Sequence, residues 1–423
     1  MSAPLSSPPR VAVAGLGGFA LHVHRVLHHL EKEGVCKVVA TCEPEAAKAA
    51  TLGGEVRLTE RNVRIFSGLE PMLEGMAGAV DAVFLPTPIH LHASMHRACV
   101  ERGLPVYLEK PPTLWWQELE EMIAVEARAT KPTEVGFNFI TEPGRQALKQ
   151  RLLAGEFGRL RSAGFLAAWA RPAAYFSRNG WAGKLFLDGS PIPLLDSCVG
   201  NAMAHFVQNI LFWAGPEQDG FGLVTEAQAC LYRAYAIAGA DTVFAEARTP
   251  EGVLLRLGAT HACRPDPEIH GEFLVCENAR IRYVAEVEAE INWNDGRREM
   301  LDLRAQGDHF ERNFRRYFDY LRGRHPRPVN SMATCRPFVT LNDLLYLATP
   351  GITTVWPNDL EINEVHGKGS FRAIAGVRPA LEEFVAQGAW PHARNLPWAR
   401  EPHRAHLADL PLALPRIRAL AGI

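Results

Sequence analysis

Glu109-Lys110-Pro111-Pro112 closes a β-branched and aromatic run, Val106-Tyr107-Leu108. The run reads as a buried strand, and the prolines stop it. A lysine with a carboxylate beside it therefore stands at the mouth of a strand. In an open parallel sheet, ligands bind outside the carboxyl ends of the strands. An ammonium placed there can hold a substrate oxygen and stabilise negative charge that develops on it. An isolated E-K-P is more often a plain strand end at the surface, so its neighbours decide the reading.

The first of these neighbours is Gly15-Leu16-Gly17-Gly18-Phe19-Ala20, a G-x-G-x-x-A turn. An apolar strand, Arg10–Ala14, precedes it. A helix predicted from Leu21, Val26, Leu27 and Leu30 follows. Strand, glycine turn and helix in that order form the dinucleotide fingerprint. Gly15 permits the tight turn, Gly17 lets backbone approach a pyrophosphate, and Ala20 lets the helix pack close. The open helix N-terminus at Gly18 and Phe19 faces the phosphates. Cys36–Cys42 is the second strand and ends at Glu43, where the fingerprint wants an acid for the ribose hydroxyls. No arginine follows at once to take a 2′-phosphate, so NAD is expected over NADP, with NADP left open. Glu43 also suits a helix first turn. His22, His24, His28 and His29 crowd the first helix. With no acidic or cysteine partner nearby they read as a solvated face, and no metal site is expected.

Further strands are expected at Arg64–Phe66, Asp81–Leu85, the run ending at Lys110, and Glu134–Phe139, with helices between. Such alternation argues for a doubly wound parallel sheet over residues 1–140, the nucleotide domain. From 141 to 348 strands follow one another at 160–170, 222–232, 242–248, 253–259, 272–276 and 279–283. This predicts an α+β domain on a largely antiparallel open sheet, with helices at 308–322 and 336–348 packed on it. Residues 349–423, rich in Pro, Trp and Arg, read as an extension wrapped on the core, with Trp356, Trp390 and Trp398 either closing the cleft or, preferred, pinning the tail to the core.

Composition sets the outer limits. A chain of 423 residues exceeds one ordinary domain. A formal net charge of -2 gives no general pull toward nucleic acid or acidic membranes. The eight cysteines form no C-x-x-C pair, so neither a zinc site nor a disulfide framework is suggested, and a reducing compartment fits. Met1–Arg10 has no apolar h-region, and no apolar run is long enough to span a bilayer. A cytoplasmic location is the expectation.

The glycine turn, the stretch from Asp81-Ala82-Val83 through Thr87-Pro88-Ile89-His90-Leu91-His92, and Glu109-Lys110-Pro111 occur in one order and spacing. Together they resemble the Gfo/Idh/MocA family (glucose–fructose oxidoreductase, inositol dehydrogenase, rhizopine catabolism) over roughly residues 10–348. The resemblance implies NAD(P) in the N-terminal lobe and oxidation or reduction of a secondary alcohol of a sugar or cyclitol. It implies that Lys110 reaches the reacting oxygen and that Glu109 touches the nicotinamide ribose. It also implies that Thr87, Pro88 and His92 lie over the cofactor and that Asn138 lies near the nicotinamide. Relatives are commonly dimers or tetramers, so a homo-oligomer is expected.

The family's other element is an Asp and a His four residues apart on a helix. In Leu195-Asp196-Ser197-Cys198-Val199-Gly200-Asn201-Ala202-Met203-Ala204-His205 two registers compete. One takes Asp196 and leaves Gly200 in place of the His. The other, preferred, takes His205 and leaves Asn201 in place of the Asp. His205 then serves as general base and Asn201 positions it or a substrate hydroxyl. Upstream, Arg178, Asn179 and Trp181 suit a polyol: guanidinium and amide bond hydroxyls and the indole stacks on a sugar face. A structured loop with a buried anchor explains them equally well. The rival functions are a redox-neutral NAD-using glycoside hydrolase or lyase, and a non-catalytic NAD-bound sensor.

Overall fold

A computed structural model describes residues 7–304 and 307–423. Most of the Met1–Arg10 segment precedes Ser7 and lies outside the described residues. The chain forms two compact units. The first runs up to Thr113 and adds Gln117–Thr141 and Gly307–Cys335. The second takes Leu114–Trp116, the chain from Glu142 through the strands of a second sheet, and Arg336–Ile423.

The first unit is built on six parallel strands: β1 (Arg10–Ala14), β2 (Lys37–Cys42), β3 (Arg64–Phe66), β4 (Ala82–Leu85), β5 (Val106–Leu108) and β6 (Glu134–Val135). Their order is β3-β2-β1-β4-β5-β6, so the sheet reverses direction between β1 and β4. That reversal is the switch point at which doubly wound sheets bind ligands. The run at Glu134–Phe139 is shorter than expected. Only two residues pair, and Asn138–Thr141 turns as a 3-10 helix. A buried acid accounts for this edge: Glu134 accepts the N–H groups of Val329 (3.0 Å) and Asn330 (3.2 Å). Backbone from elsewhere in the chain thus finishes β6.

The helix His309–Leu321 was expected on the antiparallel sheet, but it belongs to the first unit. Its aromatic stripe packs on the parallel sheet. Phe84 and Tyr107 stack at 4.9 Å, and Phe314 meets their edges at 5.1 and 5.0 Å. Asn313 donates to the Tyr107 hydroxyl at 2.7 Å. A helical apolar stripe states that a face is buried, not which sheet buries it.

The second unit holds β7 (Leu160–Ala168), β8 (Glu226–Arg233), β9 (Thr242–Arg248), β10 (Leu254–Thr260), β11 (Ile269–Cys276), β12 (Ala279–Val284), β13 (Glu288–Trp293), β14 (Arg298–Asp302) and β15 (Ile352–Thr354). They form one sheet in the order β14-β13-β12-β11-β7-β10-β9-β8-β15. It is largely antiparallel; β10–β7 and β15–β8 are its parallel pairs. Strand residues alternate faces. Phe165 of β7 stacks on Phe206 of the helix Ala204–Ala214 at 5.6 Å. The neighbouring Gly164 faces the other way, toward Val385 of the helix Val377–Gln387. A Cβ at Gly258 would lie 2.7 Å from Val385, so glycines on β7 and β10 let this C-terminal helix settle on the sheet.

Residues after 349 also form the hairpin β16 (Leu360–Val365) and β17 (Gly369–Ile374), and β18 (His403–His406), which pairs with β8. Trp398 is buried and donates to the Ala375 carbonyl at 2.9 Å. Trp390 packs on Phe384 at 4.7 Å, whereas Trp356 is exposed. Among the described residues no helix is long and apolar enough to cross a membrane.

Candidate active site

The glycine turn of the first unit follows β1 directly. Gly15 adopts φ +99°, a value other residues rarely take, and its N–H bonds the Cys42 carbonyl at 2.8 Å. A Cβ on Gly15 would touch that of Ala20 at 3.5 Å, the close packing the pattern implied. At Gly17 and Gly18 an added Cβ would meet open space. The helix Phe19–Lys32 begins with no side-chain cap, so no side chain competes with an anion at its N-terminus. Phe19 is exposed and packs against the tilted rings of His22 and Phe310, each at 5.5 Å. The buried Glu43 carboxylate accepts the N–H groups of Leu16 and Glu45, each at 3.2 Å. It ties the glycine turn to the end of β2 and keeps lone pairs for further donors.

His24 corrects the solvated-face expectation. It is fully buried beneath the turn, with Nε2 3.2 Å from both the Gly15 carbonyl and the Thr41 hydroxyl. Burial pushes its pKa down to about 4, so the ring is neutral. The sequence carried the signal: His24 falls on the same helical stripe as Ala20, Val23 and Leu27.

At the ends of β4, β5 and β6 the structure collects Thr87, Glu109, Lys110 and Asn138. Thr87 Oγ1, Glu109 Oε1 and Asn138 Oδ1 are buried and have no hydrogen-bond partner in the protein. Partnerless buried oxygens also occur elsewhere, as on Asn209 and Asn342, and what sets these three apart is that they share the strand ends at the switch point, where doubly wound sheets bind ligands. Burial pushes Glu109 up to about 7, with Lys110 opposing. The other Glu109 oxygen accepts the Lys110 N–H at 3.2 Å. Lys110 itself is half-buried.

Two neighbours of this edge were missed. A Cβ on Gly136 would lie 3.0 Å from both Glu109 Oε1 and the Tyr107 hydroxyl, so glycine there is what lets the carboxylate stand where it does. Tyr107 is held by Asn313 from the aromatic helix.

His92 lies beneath this edge rather than on it. It has no exposed surface, and its nitrogens face the carbonyls of Thr87 (2.8 Å), Pro111 (3.0 Å) and Pro112 (3.2 Å). It clasps the Thr87-Pro88 turn to the turn after Lys110. Burial pushes it down to about 4 against the pull of those carbonyls.

In the second unit His205 is the second residue of the helix Ala204–Ala214, half-buried. Asn201 precedes the helix, in the turn that enters it, rather than lying on it as expected. Asn201 Nδ2 donates to Asp196 Oδ1 at 3.0 Å, so the two registers meet in one hydrogen bond. Position 200 cannot hold a side chain without movement: a Cβ there would come within 3.1 Å of Leu114 and Ser197. Asp196 Oδ2 accepts the Gly183 N–H at 2.6 Å, tying this turn to the loop that carries Arg178 and Trp181. Asn179 uses its carbonyl oxygen on the N–H groups of Trp181 (3.1 Å) and Ala182 (2.8 Å), which makes it a loop former. Arg178 is exposed and lies 3.6 Å over the Tyr175 ring and 5.3 Å from Trp181.

The helix bearing His205 is fixed at its far end by buried charge. Glu272 accepts two bonds from Arg145 (2.6 and 2.9 Å), one from Asn209 (2.8 Å) and one from Trp213 (2.5 Å). The Lys149 ammonium donates to the last carbonyls, Phe212 at 2.6 Å and Trp213 at 3.2 Å. A cation on helix C-terminal carbonyls also complements the macrodipole.

The parallel sheet, its switch point and the glycine turn define a dinucleotide-type Rossmann domain. A family model described as "Oxidoreductase family, NAD-binding Rossmann fold" matches residues 9–137, and over that segment the chain is similar to the Gfo/Idh/MocA family. The chain is 28% identical over 158 residues to inositol 2-dehydrogenase of Corynebacterium glutamicum, covering 37% of this chain and 44% of that protein. It is 28% identical over 185 residues to scyllo-inositol 2-dehydrogenase (NAD(+)) of Bacillus subtilis, covering 43% and 50%. The matched stretches thus span about half the length of these curated relatives. The WlbA dehydrogenase from Bordetella pertussis, solved with NADH and UDP-GlcNAcA, superposes with a TM-score of 0.64 at 20% identity, over 80% of this chain and 96% of that one. At that identity the likeness is one of fold.

Proposed function

We propose that the protein is an NAD-dependent oxidoreductase acting on a secondary alcohol of a sugar, cyclitol or sugar derivative. The observation that carries this is the set of partnerless buried oxygens on Thr87, Glu109 and Asn138 beside Lys110. They fit a nicotinamide riboside, whose ribose hydroxyls and carboxamide supply donors and acceptors. The open glycine turn fits a pyrophosphate, and Glu43 fits the adenosine ribose. The inositol dehydrogenase relatives support a polyol as substrate class.

When bound, the nicotinamide supplies a hydride acceptor. Lys110 donates a hydrogen bond to the reacting oxygen and stabilises its negative charge. His205 accepts the hydroxyl proton as general base. Asn201 orients His205 or a substrate hydroxyl. Asp196 on the Asn201 amide returns a carboxylate to this group at one remove. The packed position at Gly200 supports this register over the one that needs a side chain there. We further read the protein as cytoplasmic, which suits eight free, buried cysteines, and as a homodimer or homotetramer.

The test is NAD titration followed by a polyol screen read by NADH absorbance. Lys110→Ala should lower turnover by about 10²–10³-fold while NAD affinity stays near wild type. Unchanged turnover would remove Lys110 from the mechanism. NAD binding with substrate conversion but no NADH accumulation would point to the redox-neutral lyase or hydrolase. NAD binding with no conversion would favour the sensor.

A further inference from the structure

Two arginines of the second unit converge on one tyrosine. Arg178 Cζ lies 3.6 Å from the Tyr175 ring centroid, and Arg171 Cζ lies 5.5 Å from the same centroid. Arg171 also lies 5.7 Å from the Trp169 ring. Such stacking holds guanidiniums in a fixed plane without neutralising them.

Few carboxylates answer this charge. Arg171 has Glu268 at 3.4 Å, a residue whose side chain is 48% exposed. Arg178 has no ion-pair partner among the described residues, and one of its nitrogens donates to the Tyr175 carbonyl. Asp196 also acts on Tyr175, but both its oxygens are engaged by Gly183 and Asn201. His261, which feels both guanidiniums, is kept neutral by burial and adds no charge.

The pair is held in place from behind. The Tyr235 hydroxyl donates to the Arg171 carbonyl at 2.5 Å, and Pro172 bridges to Phe371 of β17. The loop after Arg178 is closed by Asn179 and tied through Gly183 and Asp196 to Asn201. The same hydrogen bonds that position Asn201 therefore position the arginine loop.

We propose that Arg171 and Arg178 form an oxyanion-recognition pair, so that the substrate is an acidic sugar carrying a carboxylate or a phosphate rather than a neutral polyol. This rests on the oxidoreductase reading for the word substrate, but the binding preference stands on the pair itself. Guanidiniums match carboxylate and phosphate oxygens bidentately, and a neutral hydroxyl would leave the Arg178 charge without a counter-ion.

The experiment is calorimetric titration of the full chain, with and without NAD, using D-glucuronate, D-glucose 6-phosphate and D-glucose as probes. Expected is at least tenfold tighter binding of one acidic probe than of glucose. Preference between the two acids distinguishes a carboxylate ligand from a phosphate ligand. Arg178→Gln and Arg171→Gln should each erase the preference, while Arg178→Lys should retain part of it. Equal urea midpoints for the variants and wild type would exclude unfolding as the cause. Equal binding of acidic and neutral probes, no binding of either acid, or a preference that survives both Gln variants would overturn the proposal. Failure of NAD to bind while the acid preference persists would overturn the oxidoreductase reading alone.

Discussion

At the base of the helix Ala204–Ala214 the Glu272 carboxylate takes four donors. At the ends of β4, β5 and β6, by contrast, Thr87, Glu109 and Asn138 each keep a buried oxygen with no donor. Both regions bury polar atoms, yet the Glu272 carboxylate is saturated with donors while the strand-end oxygens are left open. Saturated buried charge fixes geometry, and removing one partner is costly because the other stays behind uncompensated. Unsaturated buried oxygens cost stability continuously and are retained where a ligand completes them. The contrast separates what holds this protein from what it holds onto.

The contrast predicts opposite outcomes for substitutions in the two regions. Glu272→Ala removes the two hydrogen bonds that the fully buried Arg145 guanidinium makes to Glu272, leaving Glu142 at 3.6 Å, and should destabilise the fold by about 3–5 kcal/mol, read as a lower urea midpoint. A loss under 1 kcal/mol would place this network outside the structural class. Next comes His24, buried like Glu272 but under the glycine turn. Its folded pKa of about 4 lies below the ordinary 6.5. Its stabilising contribution is therefore full above pH 6.5 and is lost as pH falls toward 4. Between pH 7 and 5 the wild type should lose about 2 kcal/mol relative to His24→Gln. The difference between the two proteins is the clean readout, because Glu109 and Glu134, both raised to about 7, drive the opposite trend. A parallel pH dependence of the two proteins would show that His24 does not titrate on unfolding.

A smaller effect is expected at Gly136, where an added methyl presses on Glu109 Oε1 and the Tyr107 hydroxyl, each at 3.0 Å. Gly136→Ala should weaken NAD binding by about tenfold, or about 1.4 kcal/mol, through displacement of the carboxylate. Unchanged affinity would mean that Glu109 is not in contact with the cofactor.

The same contrast explains what could be read from sequence. The strand, glycine turn and helix at Arg10–Lys32 were legible because each part is local and the residue types have fixed backbone meaning. Glu109-Lys110 was legible because prolines mark the strand end. Three things were not. The docking of His309–Leu321 depends on long-range contacts such as Asn313 to Tyr107, which no periodicity encodes. β13 and β14 escaped because Glu288, Glu290 and Asn292 fill one face of β13 and charged residues interrupt both faces of β14, leaving no clean apolar alternation in the latter. His24 and Gly136 were passed over because each matters through what it touches across the fold: a histidine on a helix and a glycine after a strand look ordinary alone.

The smallest effect is the sharpest test of the comparison. Thr87 Oγ1 is buried without a partner, while the Thr87 carbonyl is taken by His92 at 2.8 Å. Thr87→Val keeps the shape and the backbone contact and deletes only the unanswered hydroxyl. If that oxygen exists for a ligand, stability should hold or rise slightly, since an unmet buried polar group has been removed. NAD affinity should meanwhile fall by a few-fold, corresponding to about 1 kcal/mol for one hydrogen bond. Loss of stability with NAD affinity intact would reverse the assignment: the hydroxyl would then serve the fold, and the open oxygens at the strand ends would no longer mark a binding edge as a group.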